Sequence, residues 1–170
     1  NLSSSGGVTA CTIGSGGALS ACMQSSGGQG TAGVAATSNY AYDSTGPTTV
    51  TVCTIGVSGG LTLCNGTGNG FSSPSGIVLS NGFAYVANEG SGTVSVCSAN
   101  GDGTLSPCAP SGVVSSQPMD VAVNGNRAYV DDLVGDIYLC PLGTAGILGT
   151  PCTVSNGGGS FSFDVQIAIQ

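Results

Sequence analysis

Charge is what this chain has least of. Its 170 residues hold one basic side chain, Arg127, against eight acidic ones, with no lysine and no histidine. Charged residues make up 5% of the chain and the net charge is −7. Nucleic acid is thereby excluded as a partner, because neutralising phosphates takes clustered Lys and Arg. Anionic membrane surfaces are disfavoured by the same deficit. Without histidine or lysine a serine nucleophile has only carboxylates to call on as a base, so no enzyme is expected. Tryptophan is absent too, and the five tyrosines and four phenylalanines give few platforms for stacking a ligand. No apolar run approaches the roughly 20 residues that cross a bilayer as a helix, so no membrane insertion is expected. No segment carries a sustained helical period with caps.

What the chain has instead is 31 glycines, 24 serines, 16 threonines and eight cysteines. The cysteines fall into four pairs: Cys11 with Cys22, Cys53 with Cys64, Cys97 with Cys108, and Cys140 with Cys152. From one first cysteine to the next the steps are 42, 44 and 43 residues. A fixed period of this length marks a repeat architecture with one supersecondary unit per period.

Aligned on the cysteines, each unit holds four short runs rich in β-branched and apolar residues. The third reads Pro74-Ser-Gly-Ile77-Val-Leu79, Asn81-Gly82, Phe83-Ala-Tyr-Val-Ala-Asn88, Thr93-Val-Ser-Val-Cys97 and Thr104-Leu-Ser-Pro-Cys108. The next copies it with Pro118-Met-Asp-Val121-Ala-Val123, Asn124-Gly125, Arg127-Ala-Tyr-Val130, Asp136-Ile-Tyr-Leu-Cys140 and Ile147 to Cys152. An earlier, looser copy runs through Gly33-Val-Ala-Ala36, Asn39-Tyr-Ala-Tyr42, Thr49-Val-Thr-Val-Cys53 and Leu61-Thr-Leu-Cys64. Asn-Gly between such runs is a strong signal for a two-residue hairpin. The sequence therefore predicts an all-β fold, a β-propeller-like array of four-stranded antiparallel blades in about four repeats of about 43 residues. The first run of each unit is expected innermost and the cysteine-bearing pair outermost. A stacked β-solenoid is the rival, but its usual repeats are shorter and lack four strands joined by hairpins. As one repeat domain, 1–170 divides into a partial blade at 1–30, blades at 31–66, 67–110 and 111–153, and a final inner strand at 154–170.

The pattern Pro-x-x-Val-x-Val, Gly, Ala-Tyr-Val-x-Asn, Val-x-Val resembles the blades of extracellular propellers of the lactonase-type and surface-layer kind. The resemblance covers the whole chain but rests on blade-building residues, so it implies fold rather than activity. Lactonase-type relatives depend on metal-binding acidic and histidine residues, and no matching set exists in this sequence.

Centring the first three cysteine pairs on their Gly-rich turns, Ser15-Gly-Gly17, Ser58-Gly-Gly60 and Asn100-Gly-Asp-Gly103, gives symmetric hairpins. Opposite residues of an antiparallel pair bring their Cβ atoms close to disulfide distance. Four structural disulfides within the outer hairpins are expected; with no histidine and no Cys-x-x-Cys, zinc and thioredoxin-like chemistry lack their signatures. Such bonds point outside the cytoplasm, to a secreted or cell-surface protein. Two N-glycosylation sequons, at Asn1 and Asn65, make these the candidate glycan attachment sites.

Asp120 and Asp164 share one repeat position before the innermost strand, where Gly33 and Gly76 stand in other repeats. Neighbouring carboxylates there are weak candidates for an accessory Ca²⁺, since calcium wants more oxygens than two side chains supply. No cofactor is otherwise expected. Asp131, Asp132 and Asp136 read as one solvated turn.

The first recognisable runs, Val8 to Cys11 and Ala18 to Cys22, have third- and fourth-strand character, and the last, Asp164 to Ile169, has inner-strand character. A ring closed from those pieces would lack one Ala-Tyr-Val strand. The sequence is then a fragment, or the ring stays open, or another chain fills the slot. Strand addition with burial of Val165, Ile167 and Ile169 would link copies head to tail. The expected function is an extracellular structural subunit of a filament or surface layer. The alternative is a secreted propeller that binds a glycan or surface ligand.

Overall fold

The computed structural model describes residues 7–24 and 33–155. Among them the only helical element is a 3-10 turn at Thr144–Gly146. A first hairpin pairs β1 (Thr9–Ile13) with β2 (Leu19–Gln24). Three meandering antiparallel sheets follow, each of four strands in sequence order. The first holds β3 (Val34–Ala36), β4 (Tyr40–Thr45), β5 (Thr49–Ile55) and β6 (Leu61–Thr67). The second holds β7 (Pro74–Ser80), β8 (Phe83–Asn88), β9 (Thr93–Ala99) and β10 (Leu105–Pro110). The third holds β11 (Pro118–Asn124), β12 (Arg127–Asp132), β13 (Ile137–Pro141) and β14 (Thr153–Val154). This is the all-β array of blade-like sheets that the repeat period predicts.

The sheets pack face to face through apolar faces, and the strands of the middle sheet are apolar on both, with period 2. In the middle sheet Ile77, Leu79, Ala84, Val86 and Cys97 point to one side. They meet Tyr42, Val50 and Val52 of the preceding sheet. Val78, Tyr85, Val94 and Val96 point the other way, onto Val121, Ala128, Val130 and Cys140 of the following one. A fully buried Val, Leu or Ile contributes about 1.5–3 kcal/mol, so neither face of the middle sheet tolerates being left in water.

Successive first strands come together through their backbones. A Cβ on Gly33 would lie 2.6 Å from the carbonyl oxygen of Ser75 and 2.9 Å from the Cα of Gly76. A Cβ on Gly76 would lie 2.6 Å from the Cα of Asp120 and 2.9 Å from the carbonyl oxygen of Met119. Glycine stands at both positions because any side chain would hold the next sheet off. Hydroxyls span the same seam: Ser44 Oγ donates to the Ser75 carbonyl, and Ser75 Oγ donates to the Pro118 carbonyl at 2.9 Å. At the other side of the sheets the Leu105 amide donates to Thr67 Oγ1 at 2.7 Å.

Two details depart from the sequence reading. Asn81-Gly82 does form a two-residue loop, both residues at positive φ (51° and 81°). In the next repeat, however, Asn124 pairs with Arg127, so the loop is Gly125-Asn126 with Gly125 at φ 60°. Glycine at the first loop position is the type II′ preference. Second, the run Ile147 to Cys152 is not a continuous outer strand. It holds one bridge, Leu142 to Leu148, and regular pairing resumes only at Thr153.

Replacing Gly76 with Ala is expected to cost about 2–3 kcal/mol, because the added methyl meets backbone rather than a yielding side chain. Urea unfolding measures this. A Gly76→Ala variant as stable as the parent would contradict the close approach.

Candidate functional site

The cysteines occupy the outer hairpins, and four bonds join Cys11 to Cys22, Cys53 to Cys64, Cys97 to Cys108 and Cys140 to Cys152. No cysteine is free. Their placement depends on the turns. In the first three hairpins three residues separate the closing pair: Gly14 and Ala18, Gly56 and Gly60, Asn100 and Thr104. The third loop residue is a glycine at φ 78°, 80° and 87° respectively. A three-residue loop puts residues an even number apart opposite each other, so cysteines 11 apart are out of register by one. A one-residue bulge restores them, between Ala10 and Thr12, between Val52 and Thr54, and between Leu105 and Cys108. The hairpins are thus not symmetric about the cysteines, as centring each pair on its turn suggests. In the fourth hairpin the 12-residue spacing accommodates the 3-10 turn and the irregular stretch after Leu148.

The second group of polar residues gathers where β11 and β12 pair. Asp120 stands opposite Asp131 in the ladder. The Asp120 amide donates to Asp131 Oδ1 at 2.6 Å, and the Val121 amide donates to Asp120 Oδ1 at 2.8 Å. Gly33 and Ser44 make the same contact in an earlier repeat, where the Gly33 amide donates to Ser44 Oγ at 2.8 Å. Asp132 Oδ1 accepts from the amides of Val134 and Asp136, both at 3.1 Å, and so closes the turn between β12 and β13. Asp131 and Asp132 are 2% and 5% exposed, which corrects the reading of this segment as a solvated turn.

Burial pushes the Asp131 carboxyl up to about 6, and the charges of Asp120 and Asp132 add to the shift. Its hydrogen bond from the Asp120 amide pulls the other way and does not prevail. Burial also raises the Tyr138 phenol, helped by the negative charges of Asp132 and Asp136. On the turn between β9 and β10, Asp102 is held low by hydrogen bonds from the Thr104 hydroxyl at 2.7 Å and amide at 2.9 Å.

Among the described residues no three His, Cys, Asp or Glu side chains converge into a set that could hold a metal ion. The Asp120 carboxylate accepts from the Val121 amide, and Asp164 lies outside the described residues, as do Asn1, Val165, Ile167 and Ile169. Asn65 is exposed on β6, whereas Thr67 of its sequon is buried with its hydroxyl taken by Leu105. No helix among the described residues is long and apolar enough to cross a membrane.

No known protein family and no curated protein matches this sequence. Solved structures do resemble the fold. The computationally designed Ika4 protein is 18% identical with a TM-score of 0.52, over 71% of this chain and 70% of its own. The computationally designed Ika8 protein is 18% identical with a TM-score of 0.58, over 85% of this chain and 42% of its own. A functionally unknown protein from Desulfotomaculum acetoxidans DSM 771 is 20% identical with a TM-score of 0.55, over 82% of this chain and 44% of its own. This chain thus matches less than half the length of the last two. At such identities the likeness shows the fold alone: an all-β repeat protein of four-stranded sheets. Four intramolecular disulfides are typical of extracellular proteins.

Two outcomes test this chemistry. Replacing Cys97 and Cys108 together with Ala is expected to cost about 3 kcal/mol by the loop-entropy relation, read as a lower denaturation midpoint. An unchanged midpoint would contradict a structural staple. For Asp131 the folded-state value lies above that of the unfolded chain, near 3.9. The folded protein therefore binds this proton more tightly, and the resulting stability is lost as pH rises from about 4 through about 6. Asp131→Asn is expected to flatten that part of the Tm against pH profile, and a variant with the parental slope would show the carboxyl to be unperturbed.

Proposed function

We propose that this chain is a non-catalytic, extracellular structural protein that associates with further copies of itself. The observation that carries the reading is the apolar character of its outer rim. Val57 and Leu63 stand 113% and 78% exposed on one disulfide-bonded hairpin, and Val113 stands 72% exposed just after β10. Exposed apolar groups of this kind on a disulfide-stapled scaffold favour an interaction surface. The sparse charge supports it, because little self-repulsion opposes contact between copies. β6 and β10 are edge strands of their sheets, which suits strand addition, although the Leu105 amide of β10 is already bound to Thr67 Oγ1. The resemblance of the Ala-Tyr-Val repeats to extracellular surface propellers supports the same reading, as do the four disulfides. Head-to-tail repetition of such a contact gives a filament or layer. Within it the segment from Asp164 to Ile169 is the proposed partner for an open edge, and Asn65 the proposed glycan site. Asp132 is engaged by amides of its own turn and Asp131 by the Asp120 amide across the ladder, which supports a non-catalytic role.

Light scattering after size exclusion, with negative-stain electron microscopy, tests the proposal. The parent is expected to form species larger than a monomer. Combining Val57→Asp with Leu63→Asp should release monomers without lowering Tm, since both side chains are in solvent and aspartate tolerates the positive φ at Leu63 (49°). A parent that stays monomeric at its highest soluble concentration would overturn the reading.

A further inference from the structure

Between the sheet β3–β6 and the sheet β7–β10 a cleft of about 340 Å³ opens at the end where the hairpin turns lie. Three turns rim it, contributing Asn39, Asn81 and Asn100, and the aromatic rings of Tyr40, Tyr42 and Phe83 line it. No charged side chain is among the lining residues. The volume falls within the range of about 300–1,000 Å³ common to small-molecule sites.

The polar groups are placed for a visitor. Asn39 and Asn81 are exposed, and their side-chain amides make no hydrogen bond among the described residues. Asn100 is held by its own amide nitrogen, which donates to Thr104 Oγ1 at 3.0 Å and to the Ser106 carbonyl at 3.2 Å. That fixes the rotamer and leaves its Oδ1 as an acceptor. Tyr42 is 1% exposed, yet it lines the cleft and its hydroxyl makes no hydrogen bond among the described residues. Its ring is buried but its hydroxyl is not fully so, which leaves that oxygen within reach of a visitor.

The chemistry of the lining selects among ligands. An anion would approach a chain of net charge −7 and find no cation in the cleft. A cation would find no lining carboxylate. A purely apolar molecule would leave the Asn39 and Asn81 amides and the Tyr42 hydroxyl without a partner. A neutral sugar satisfies all of these, offering hydroxyls to the amides and C–H faces to the rings. We propose that this cleft binds a neutral saccharide, one ring or a short chain, with the Tyr42 hydroxyl and the Asn39 and Asn81 amides as its hydrogen-bonding partners. The site is independent of self-association, because none of its residues belongs to the proposed contact between copies.

The test is titration calorimetry with saturation-transfer NMR. The probes are glucose, galactose, mannose, N-acetylglucosamine and their β1,4-linked dimers. The protein is both the parent and the Val57→Asp, Leu63→Asp variant, so that a failure of binding and a failure of assembly are read separately. At least one sugar is expected to saturate. Tyr42→Phe, which keeps the ring, and Asn39→Ala, on the surface, should each weaken it about 10-fold, the size of one lost hydrogen bond. Asn81→Gly should do the same while keeping the turn conformation. If no sugar saturates, or if binding is unchanged in all three folded variants, the proposal is wrong.

Discussion

The backbone approach of successive innermost strands is the constraint on which the rest of this structure depends. The middle four-stranded sheet is apolar on both faces and cannot satisfy either one alone. Gly33 and Gly76 let the next sheet come to backbone contact at one side, and the serine hydroxyls of Ser44 and Ser75 fill the remaining gap with hydrogen bonds. At the far side the rings must take up the widening space, and they do. Gly103 lies against Tyr40 and Gly146 against Phe83, so a small residue of one blade meets an aromatic of its predecessor. Small residues at one side and rings at the other give each interface its taper. Both middle-sheet faces are buried as a result.

The outer hairpins are the part of each sheet farthest from that seam, and the disulfides lie there. A short cross-link in the least buried hairpin restricts the unfolded chain and holds the hairpin without needing a larger core. The arrangement also frees the rim for other work, because the residues facing outward carry no structural duty. Val57 and Leu63 illustrate this, exposed on a hairpin whose fold is fixed by Cys53 and Cys64. A scaffold fixed inside and permissive outside suits a subunit that meets copies of itself. The cleft beside Tyr42 exploits the space left at the turn end of an interface.

How much of this was legible in the residues depended on whether the signal was periodic. The cysteine interval and the Ala-Tyr-Val runs gave the four-stranded repeat and the order of its strands. What was not periodic was missed. The Gly-rich turns allow more than one loop placement, so the half-step that forces a bulge beside Cys11 and Cys53 left no mark in the spacing. The burial of Asp131 and Asp132 was hidden by their chemistry, since three aspartates near a turn read as solvated. Counting the ladder outward from the Arg127 turn would have put Asp131 opposite Asp120 and exposed the pairing. The cleft was illegible for a different reason. Asn39, Asn81 and Asn100 come from three turns, each ordinary alone, and only the packing of two sheets brings them together.

Hydrogen exchange followed by mass spectrometry tests the central claim most directly, because it reads each strand separately. If face-to-face packing carries the stability, β8 should exchange slowest, since it lies inside the one described sheet with both faces covered. The outer strands β6 and β14 should exchange fastest, and mild reduction of the disulfides should loosen them while leaving β8 protected. Exchange in β8 as fast as in β14, or loss of its protection together with the disulfides, would show that the staples and not the packed faces hold this fold.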